Sequence, residues 1–293
     1  MKNSLKELVV VSGKGGTGKT SLTASLIHCF DNKVIADCDV DAADLHLVLN
    51  LHDTVSEEFS GGNEAIIDPK ICNLCGLCAE KCRFDAISLV DNQYVVSDCE
   101  GCRVCVDICP EKAIAWEVAI HGKLKYSQSD EGDVFHARLD PGAENSGKLV
   151  AAVREKARKR AESLGAEWIF VDGPPGIGCP AIAALTGADA ALLVTEPTPS
   201  GLHDLERVLD LCKHFRLPAY IVINKFDLNK EMTFKIREIG IRRGTPVLAC
   251  LPYSSLFTDA QLQGKSLAQA FPESEEMVII KNLAQKLTQK IKN

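Results

Sequence analysis

Residues 12–20 read Ser12-Gly13-Lys14-Gly15-Gly16-Thr17-Gly18-Lys19-Thr20, and the rest of the chain is organised around them. They follow the apolar run Leu8-Val9-Val10-Val11 and precede a segment whose apolar residues recur at helical spacing, which predicts strand, glycine-rich loop and helix. From Gly13 to Thr20 the residues satisfy the P-loop pattern G-x-x-x-x-G-K-[ST]. In such a loop, backbone N–H groups and a helix N-terminus surround a phosphate group. The sequence therefore predicts a nucleoside triphosphate site.

The P-loop pattern assigns a role to two side chains. Lys19 is expected to reach the β and γ phosphates, and the Thr20 hydroxyl is expected to ligate Mg²⁺. The predicted nucleotide-binding residues of this region are Gly13, Lys14, Gly15, Gly16, Thr17, Gly18, Lys19, Thr20 and Thr23. The alternative is a glycine-rich loop that binds no phosphate.

Lys14 is an unusual residue inside this loop. With it the loop reads K-G-G-x-G-K-[ST], which resembles the family that contains MinD, ParA, Mrp and the nitrogenase iron protein. The resemblance implies an ATPase with a mostly parallel α/β sheet and helices on both faces. It also implies a nucleotide-dependent homodimer, or a heterodimer with a paralogue, in which Lys14 crosses the interface and acts as an arginine finger does. The alternative is a solvated loop lysine.

Size and composition exclude several classes of protein. The chain has 293 residues, of which 46% are hydrophobic and 25% charged, as in an ordinary globular protein. No apolar run approaches the ~20 residues that span a bilayer, so a cytoplasmic location is expected. The net charge of −7 argues against nucleic acid and anionic membrane as partners. Thirteen cysteines are many for a chain of this kind unless they hold a cofactor.

Carboxylates follow the second predicted strand, Lys33-Val34-Ile35-Ala36. Acidic residues at the carboxyl end of a parallel strand lie where such sheets bind ligands. The segment Asp37-Cys38-Asp39 resembles switch I of the same family, which implies that Asp39 positions the attacking water. Asp41 is a candidate near Mg²⁺. A solvated acidic turn is the alternative.

Eight of the cysteines form two similar runs. Cys72, Cys75, Cys78 and Cys82 have the spacing C-x2-C-x2-C-x3-C, and Cys99, Cys102, Cys105 and Cys109 repeat it 27 residues later. The passage from residue 63 to residue 116 thereby resembles a bacterial two-cluster ferredoxin. It departs from that pattern at Arg83, where a proline is usual. The pattern therefore does not predict the reduction potential of the neighbouring cluster.

The ferredoxin resemblance implies how the cysteines are shared. In that pattern the fourth cysteine of each run binds the other cluster. One [4Fe–4S] cluster is then held by Cys72, Cys75, Cys78 and Cys109, and the other by Cys82, Cys99, Cys102 and Cys105. Structural zinc is the alternative reading. Residues 63–116 are therefore predicted to be a ferredoxin-like domain inserted into an ATPase domain formed by residues 1–62 and 117–293.

A second acidic strand end follows the insert. Trp168-Ile169-Phe170-Val171 leads into Asp172-Gly173-Pro174-Pro175-Gly176, which looks like the D-x-P-P-G switch II of the Mrp and MinD branch. The resemblance implies that Asp172 orders Mg²⁺ through water and that the Gly176 N–H binds the γ-phosphate. Cys179 follows seven residues after Asp172, as a cluster-binding cysteine does in the nitrogenase iron protein. It is predicted to be a buried inert thiol, a redox or transfer thiol, or a bridging ligand.

Four further segments carry predictions. Asn224 at a strand end resembles the adenine-contacting asparagine of the family, and Pro252 falls where the family packs a loop against the base. Val118 to Tyr126 alternates apolar and polar residues and is predicted to form a β-hairpin. Residues 274–292 form a predicted amphipathic helix that packs on the sheet or, as the alternative, targets a membrane.

Three functions fit these patterns. The first is an ATP-driven electron-transfer protein in which nucleotide binding moves the switches and repositions the clusters toward an unidentified redox partner. The second is an iron–sulfur carrier or assembly ATPase like Mrp, in which Cys179 holds a labile cluster. The third is a redox-sensing regulatory ATPase of the MinD/ParA type.

Overall fold

Nine strands form the main sheet, and its centre is built from the most apolar segments of the chain. The computed structural model describes residues 5–40, 43–140 and 146–292. In these ranges the strands are β1 (Lys6–Ser12), β2 (Lys33–Asp37), β3 (His52–Phe59), β4 (Gly62–Ile67), β5 (Ile87–Val90), β6 (Gln93–Val96), β7 (Ile114–Ala119), β8 (Gly122–Ser129), β9 (Gly132–Leu139), β10 (Trp168–Pro175), β11 (Ala190–Thr195), β12 (Ala219–Asn224) and β13 (Val247–Leu251).

The helices complete the list of elements. They are α1 (Lys19–Ile27), α2 (Leu77–Lys81), α3 (Val104–Ile108), α4 (Ser146–Leu164), α5 (Cys179–Leu185), α6 (Pro199–His214), α7 (Lys230–Arg243), α8 (Leu256–Leu262), α9 (Leu267–Ala270) and α10 (Glu275–Lys292), with 3-10 turns at Leu45–Leu47 and Phe226–Leu228. No helix of the described ranges is both long and apolar enough to cross a membrane.

The main sheet has the strand order β13-β12-β11-β1-β10-β2-β9-β8-β3. Neighbours from β13 to β9 pair in parallel, which confirms the predicted α/β class. Continuous apolar runs are typical of parallel strands because both faces of such a sheet are covered. The register sets Val10 opposite Asp172, and Asp172 opposite Asp37. The sheet therefore aligns the acidic strand ends with the start of the P-loop.

The chain divides into two compact units. The first contains the residues up to Ser56, Leu124–Arg138 and the chain from Ser146 onward, and the second contains Glu57–Lys123 with Leu139 and Asp140. Within the second unit β4 pairs antiparallel with β7, from Gly62 opposite Ala119 to Ile67 opposite Ile114, and β5 pairs with β6. The predicted insert, residues 63–116, falls inside this unit.

The predicted hairpin over Val118 to Tyr126 is wrong. β7 ends at Ala119 and pairs with β4, whereas β8 begins at Gly122 and lies in the main sheet. Alternating polarity shows that a strand has one buried face, but it does not specify the neighbouring strand.

The carboxyl-terminal helix packs in the main core. In α10 the side chains of Met277, Ile280, Leu283 and Leu287 are buried. Lys286 on another face donates from Nζ to the Leu248 carbonyl of β13 at 2.8 Å. The apolar stripe of this helix is therefore already covered, which favours the packing alternative over a membrane-binding surface.

Candidate functional site

A cavity of about 580 Å³ opens where β1, β10, β12 and β13 end. One wall is the P-loop from Gly15 to Thr20 with the first residues of α1. Asp39, Pro174 and Pro175 line the cavity from the switch segments, and Asn224 and Pro252 from the last strands. A cleft at the carboxyl ends of parallel strands is the usual ligand site of this architecture. The structure thus brings most of the predicted nucleotide residues together.

At two positions of the loop, steric constraints explain why the residue is glycine. Gly18 has φ 85°, in the left-handed region, and lies directly before α1. At Gly13, a Cβ atom would lie 2.4 Å from Cβ of Asp204 in α6 and 2.8 Å from its carbonyl oxygen. Gly13 does not line the cavity. A glycine is required there because α6 approaches so closely.

Lys19 is enclosed by carboxylates. Its side chain is 6% exposed, and Nζ lies 3.0 Å from Oδ2 of Asp172 and 3.5 Å from Oδ2 of Asp39. Burial lowers the pKa of Lys19, but the charges of Asp172, Asp39 and Asp37 more than offset it and leave the pKa raised. Lys19 is therefore a stable ammonium at the end of the P-loop, as phosphate binding requires.

Asp172 is fixed by two threonines of α1. Thr20 donates from Oγ1 to Oδ2 at 2.8 Å, and Thr23 donates to Oδ1 at 2.9 Å. The side chain of Asp172 is almost fully buried. The Thr20 hydroxyl and this carboxylate are hard oxygen donors side by side, and they fit a Mg²⁺ ion held partly through water. The further candidate for Mg²⁺, Asp41, lies outside the described residues.

The carboxylate that ends β2 and the one two residues later have different surroundings. Asp37 is buried and accepts hydrogen bonds from the N–H groups of Asp39 at 3.2 Å and Leu45 at 3.3 Å. Burial and the neighbouring Asp172 raise the pKa of Asp37 well above its usual range. Asp39 instead lines the cavity. The solvated acidic turn is therefore wrong for Asp37, which shapes the segment that presents Asp39.

Lys14 does not line this cavity. Its Nζ lies 2.6 Å from Oε1 of Glu196 and donates to Oγ of Ser200 at 3.1 Å. Glu196 also accepts from Nζ of Lys225 at 3.3 Å. Burial raises the pKa of Glu196, but the hydrogen bonds and charges of the two lysines outweigh it and lower the pKa. Lys14 is therefore paired within its own chain, and its role in a partner's site stays a prediction.

Two backbone groups of the site are already hydrogen bonded. The Gly176 N–H donates to the Ser12 carbonyl at 2.8 Å, so it must leave this bond to bind a γ-phosphate. Asn224 donates from Nδ2 to the Thr17 carbonyl at 2.8 Å. The Thr17 hydroxyl is buried and has no hydrogen-bond partner among the described residues. An orphaned polar atom in the loop is consistent with a ligand that completes it.

The side of the cavity that Pro252 lines includes residues that could not be picked out from the sequence. Phe257, Thr258 and Gln261 of α8 line it beside Pro252 and Tyr253. Gln261 donates from Nε2 to Oγ of Ser21 in α1 at 2.9 Å. The sequence does contain one indication of their role. Their spacing, directly after the Pro252 loop, places the three side chains on one face of a helix.

The eight clustered cysteines lie in the second unit. Cys72, Cys75, Cys78 and Cys109 line one small cavity, and Cys82, Cys99, Cys102 and Cys105 line another, each of about 20 Å³. Within the described residues, no group of three or more His, Cys, Asp or Glu is gathered closely enough to hold a metal ion. Each set of four cysteines therefore lines one cavity, but its thiols do not converge on a single point, as the ligands of a zinc ion must.

Cys179 is exposed, at the first residue of α5. The interpretation as a buried inert thiol is therefore wrong. The redox, transfer and bridging roles stay predictions.

Comparison with known proteins shows the family of the chain. The model of the CobQ/CobB/MinD/ParA nucleotide binding domain matches residues 8–267. The chain belongs to this family. An uncharacterized protein of Methanocaldococcus jannaschii is 34% identical to it over 236 residues, which cover 79% of this chain and 83% of that protein. The predicted class, a MinD/ParA-type nucleotide-binding ATPase, is thereby confirmed.

Solved structures of MinD share the fold. MinD of Pyrococcus horikoshii, complexed with Mg-ADP, superposes with a TM-score of 0.60 at 20% identity and covers 99% of each chain. MinD of Aquifex aeolicus in its complex with MinC has a TM-score of 0.59 at 18% identity, covering 97% of this chain and 96% of that chain. Neither the family description nor these names refer to iron–sulfur clusters, so the ferredoxin-like character of the second unit stays a prediction.

Proposed function

We propose that this MinD/ParA-type ATPase holds two [4Fe–4S] clusters and couples its nucleotide state to electron transfer to a partner protein. The observation that carries the proposal is the partition of eight cysteines between two cavities. Each cavity is lined by three cysteines of one run and the last cysteine of the other, Cys109 or Cys82. This is the sharing expected of a two-cluster ferredoxin.

The residues around the cysteines support the same proposal. α2 and α3 each begin two residues after the second cysteine of a run, and the residue before each helix, Gly76 or Arg103, is in the left-handed region. Cys78 and Cys105 then occupy equivalent buried positions with Ile87 and Ile114. The two halves of the unit therefore repeat in structure as they repeat in sequence. An apolar wall around thiolate ligands limits water access to a cluster.

The cysteine geometry also distinguishes a cluster from a single ion. The four thiolates of a cubane bind four different iron atoms, so they surround a volume and do not meet at one point. When bound, each cluster would accept and release one electron. The chain's own contribution is to supply four thiolates per cavity.

The nucleotide site supplies the other half of the proposed function. Lys19 is positioned to neutralise phosphate charge, and Thr20 with Asp172 is positioned to hold Mg²⁺. Asp39 lines the same cavity and is the residue that we assign to the attacking water. The expected dimer, with itself or with a paralogue, would bring Lys14 to the partner's nucleotide.

A short covalent path links the two activities. From Asp39 the chain runs through the 3-10 turn Leu45–Leu47 into β3 and reaches the second unit at Glu57. A movement of this switch segment on nucleotide binding is therefore transmitted along fewer than about 20 residues. This path is the reason to favour coupled electron transfer over two independent activities.

The test is anaerobic purification of the full chain followed by iron, sulfide and zinc analysis, EPR after reduction, and an assay of ATP hydrolysis. About eight iron atoms and eight sulfides per chain are expected, with Mg²⁺-dependent hydrolysis that Lys19→Ala abolishes. Stoichiometric zinc without sulfide would refute the clusters, and hydrolysis that is unaffected by Lys19→Ala would refute the assigned ATPase site.

The exposure of Cys179 favours a second candidate, a carrier that delivers iron–sulfur clusters. A carrier loses its cluster rapidly to an apo acceptor protein, whereas clusters bound by eight ferredoxin-type cysteines should resist chelation. Rapid transfer that Cys179→Ala abolishes would select the carrier over the electron-transfer protein.

A further inference from the structure

The two cysteine cavities of the second unit differ in the charges of their walls. The first cavity is lined by Cys72, Cys75, Cys78 and Cys109, and the second cavity is lined by Cys82, Cys99, Cys102 and Cys105. Because the two cysteine runs repeat after 27 residues, a residue beside one run has a counterpart beside the other. Counterparts that differ therefore show how the chain distinguishes the two cavities.

The wall of the first cavity carries a negative charge. Among the described residues that line it, Glu111 is the one with a charged side chain besides the cysteines. Its Oε1 accepts a hydrogen bond from Nδ2 of Asn73, another lining residue, at 3.0 Å. The carboxylate is therefore held in the cavity wall. A fixed negative charge opposes the addition of an electron to a neighbouring group.

The wall of the second cavity includes a cation. Arg103 and Glu100 line it, and Phe84 is the counterpart of Glu111. The Nε atom of Arg103 lies 3.3 Å from Oδ1 of Asp107, one turn further along α3. Both side chains of this pair are largely exposed, and an exposed ion pair is weak. The net charge of the lining side chains is therefore more positive in the second cavity than in the first.

Arg103 occupies its position at a conformational cost. It precedes α3 with φ 67°, in the left-handed region, whereas its counterpart before α2 is Gly76 with φ 76°. A residue other than glycine or asparagine is strained in this region. At Gly76 a Cβ atom would lie 2.9 Å from the Tyr94 hydroxyl, so only glycine fits there. A strained arginine at the equivalent position indicates that its side chain has a role.

One contact favours the first cavity instead. The Ala113 N–H donates to Sγ of Cys109 at 3.3 Å and stabilises negative charge on that thiol. A backbone N–H has only a partial charge, whereas the Arg103 guanidinium has a full one and interacts about twice as strongly. Other charged residues near the cysteines are exposed and line neither cavity, so solvent screens them. Examples are Arg83, Asp85 and Lys112.

We propose that Arg103 makes the second cavity the place where an added electron rests. The inference deepens the proposed function and rests on it, because it requires a [4Fe–4S] cluster in each cavity. Arg103 stabilises the negative charge that one electron adds to the second cavity, and Glu111 opposes that addition in the first. An electron from a one-electron donor protein is therefore held at the second cavity, and the acceptor protein takes it from there.

The test is a redox titration of the full chain, which is purified anaerobically and reduced in steps with dithionite, with EPR at each step. Cys78→Ala removes a ligand of the first cavity, so the signal that this variant retains belongs to the second cavity. In wild type that signal should have the higher midpoint potential. Arg103→Gly gives the second cavity the residue of the first. It should lower the equilibrium constant for reduction about three- to tenfold, ~30–60 mV for one electron.

Two further variants separate the charge of Arg103 from its structural role. Arg103→Lys keeps the positive charge and should retain most of the wild-type potential. Lys112→Gly is the matched control, because Lys112 is also a cation in the left-handed region, with φ 52°, and lines neither cavity. Relief of backbone strain would affect both glycine variants. Only Arg103→Gly should change the potential of the second cavity.

Two results would overturn the inference while the proposed clusters stand. One is a wild-type potential in the first cavity that equals or exceeds that of the second. The other is a second-cavity potential that Arg103→Gly leaves unchanged, or that Lys112→Gly lowers to the same extent. A chain that contains zinc, or no iron, would overturn the proposed function and this inference with it.

Discussion

The Nζ atom of Lys14 lies 2.6 Å from Oε1 of Glu196 in the same chain. If Lys14 serves the nucleotide of a partner subunit, this contact has to break before the lysine can extend. Lys14→Ala should then reduce ATP turnover by at least about 100-fold, as loss of an arginine finger does, because charge on the transferring phosphoryl group is no longer neutralised. The affinity of Lys14→Ala for ADP should equal that of wild type, because Lys14 does not line the cavity.

Glu196→Gln tests the contact between Lys14 and Glu196 by changing the acidic partner. The amide keeps the size of the side chain but not its charge, so it holds Lys14 less strongly. ATP-dependent dimers, measured by sedimentation velocity, should form at lower protein concentration than in wild type. Glu206→Gln, on α6 and paired with Arg243, is the matched control. Unchanged dimerisation in Glu196→Gln would mean that this pair does not restrain Lys14.

Gly13 and Gly15 offer a matched pair within the P-loop. A Cβ atom at Gly13 would clash with Asp204, whereas one at Gly15 has no atom within 4 Å. Gly13→Ala should therefore lower the free energy of unfolding by about 1–3 kcal/mol, since the backbone of α6 must move. Gly15→Ala should leave stability nearly unchanged but weaken ADP binding, because Gly15 lines the cavity. Denaturant titration and calorimetry measure the two effects, and equal stability of the two variants would contradict the packing described.

His136 gives the first unit a defined dependence on pH. Burial, with the nearby charge of Lys125, lowers its pKa from 6.5 to about 4. Its Nε2 lies 2.9 Å from Oγ of Ser127. The unfolded chain takes up a proton below pH 6.5 while the folded chain stays neutral, so stability falls as pH drops from 6.5 toward 4. Between pH 7 and pH 5.5 this residue should cost about 1 kcal/mol of the free energy of unfolding.

His136→Gln should remove that part of the pH dependence. Denaturant unfolding at the two pH values is compared for wild type, His136→Gln and His203→Gln, whose histidine is exposed. His203→Gln should keep the wild-type difference between pH 7 and pH 5.5. A His136→Gln protein with the wild-type difference would show that another group carries it.

Substitutions at Cys78 and Cys212 compare a predicted cluster ligand with a cysteine of the core. Cys78 lines a cavity with three other cysteines. Cys212 is buried in α6, and burial raises the pKa of its thiol to about 12. Cys78→Ala should reduce the iron content from about eight to about four atoms per chain and remove one of two EPR signals, because a cubane needs four ligands. Cys212→Ala should leave both unchanged, and equal iron in the two variants would contradict the ligand assignment.

Local patterns were sufficient to predict which residues gather around the main cavity. The P-loop and the acidic ends of β2 and β10 could be read from apolar runs that end in polar residues, because parallel strands align their carboxyl ends. The register confirms this reading by setting Asp172 beside Asp37. The position of Lys19 between Asp172 and Asp39 follows from that alignment.

Contacts between distant segments were not predictable. Lys14 and Glu196 are far apart in sequence, and nothing near either residue signals their pairing. β7 and β8 both alternate in polarity, yet one pairs with β4 and the other joins the main sheet, because partner choice depends on non-local packing. The short helix α8 was missed although its residues complete the cavity wall, since seven residues give little periodic signal.

The measurement that most directly tests coupling is a redox titration of the clusters, followed by EPR, with and without Mg²⁺ and ATP. The expected result is that nucleotide shifts the midpoint potential of at least one cluster in wild type and that Lys19→Ala, which cannot neutralise phosphate charge, abolishes the shift. Potentials that are identical with and without nucleotide would contradict it.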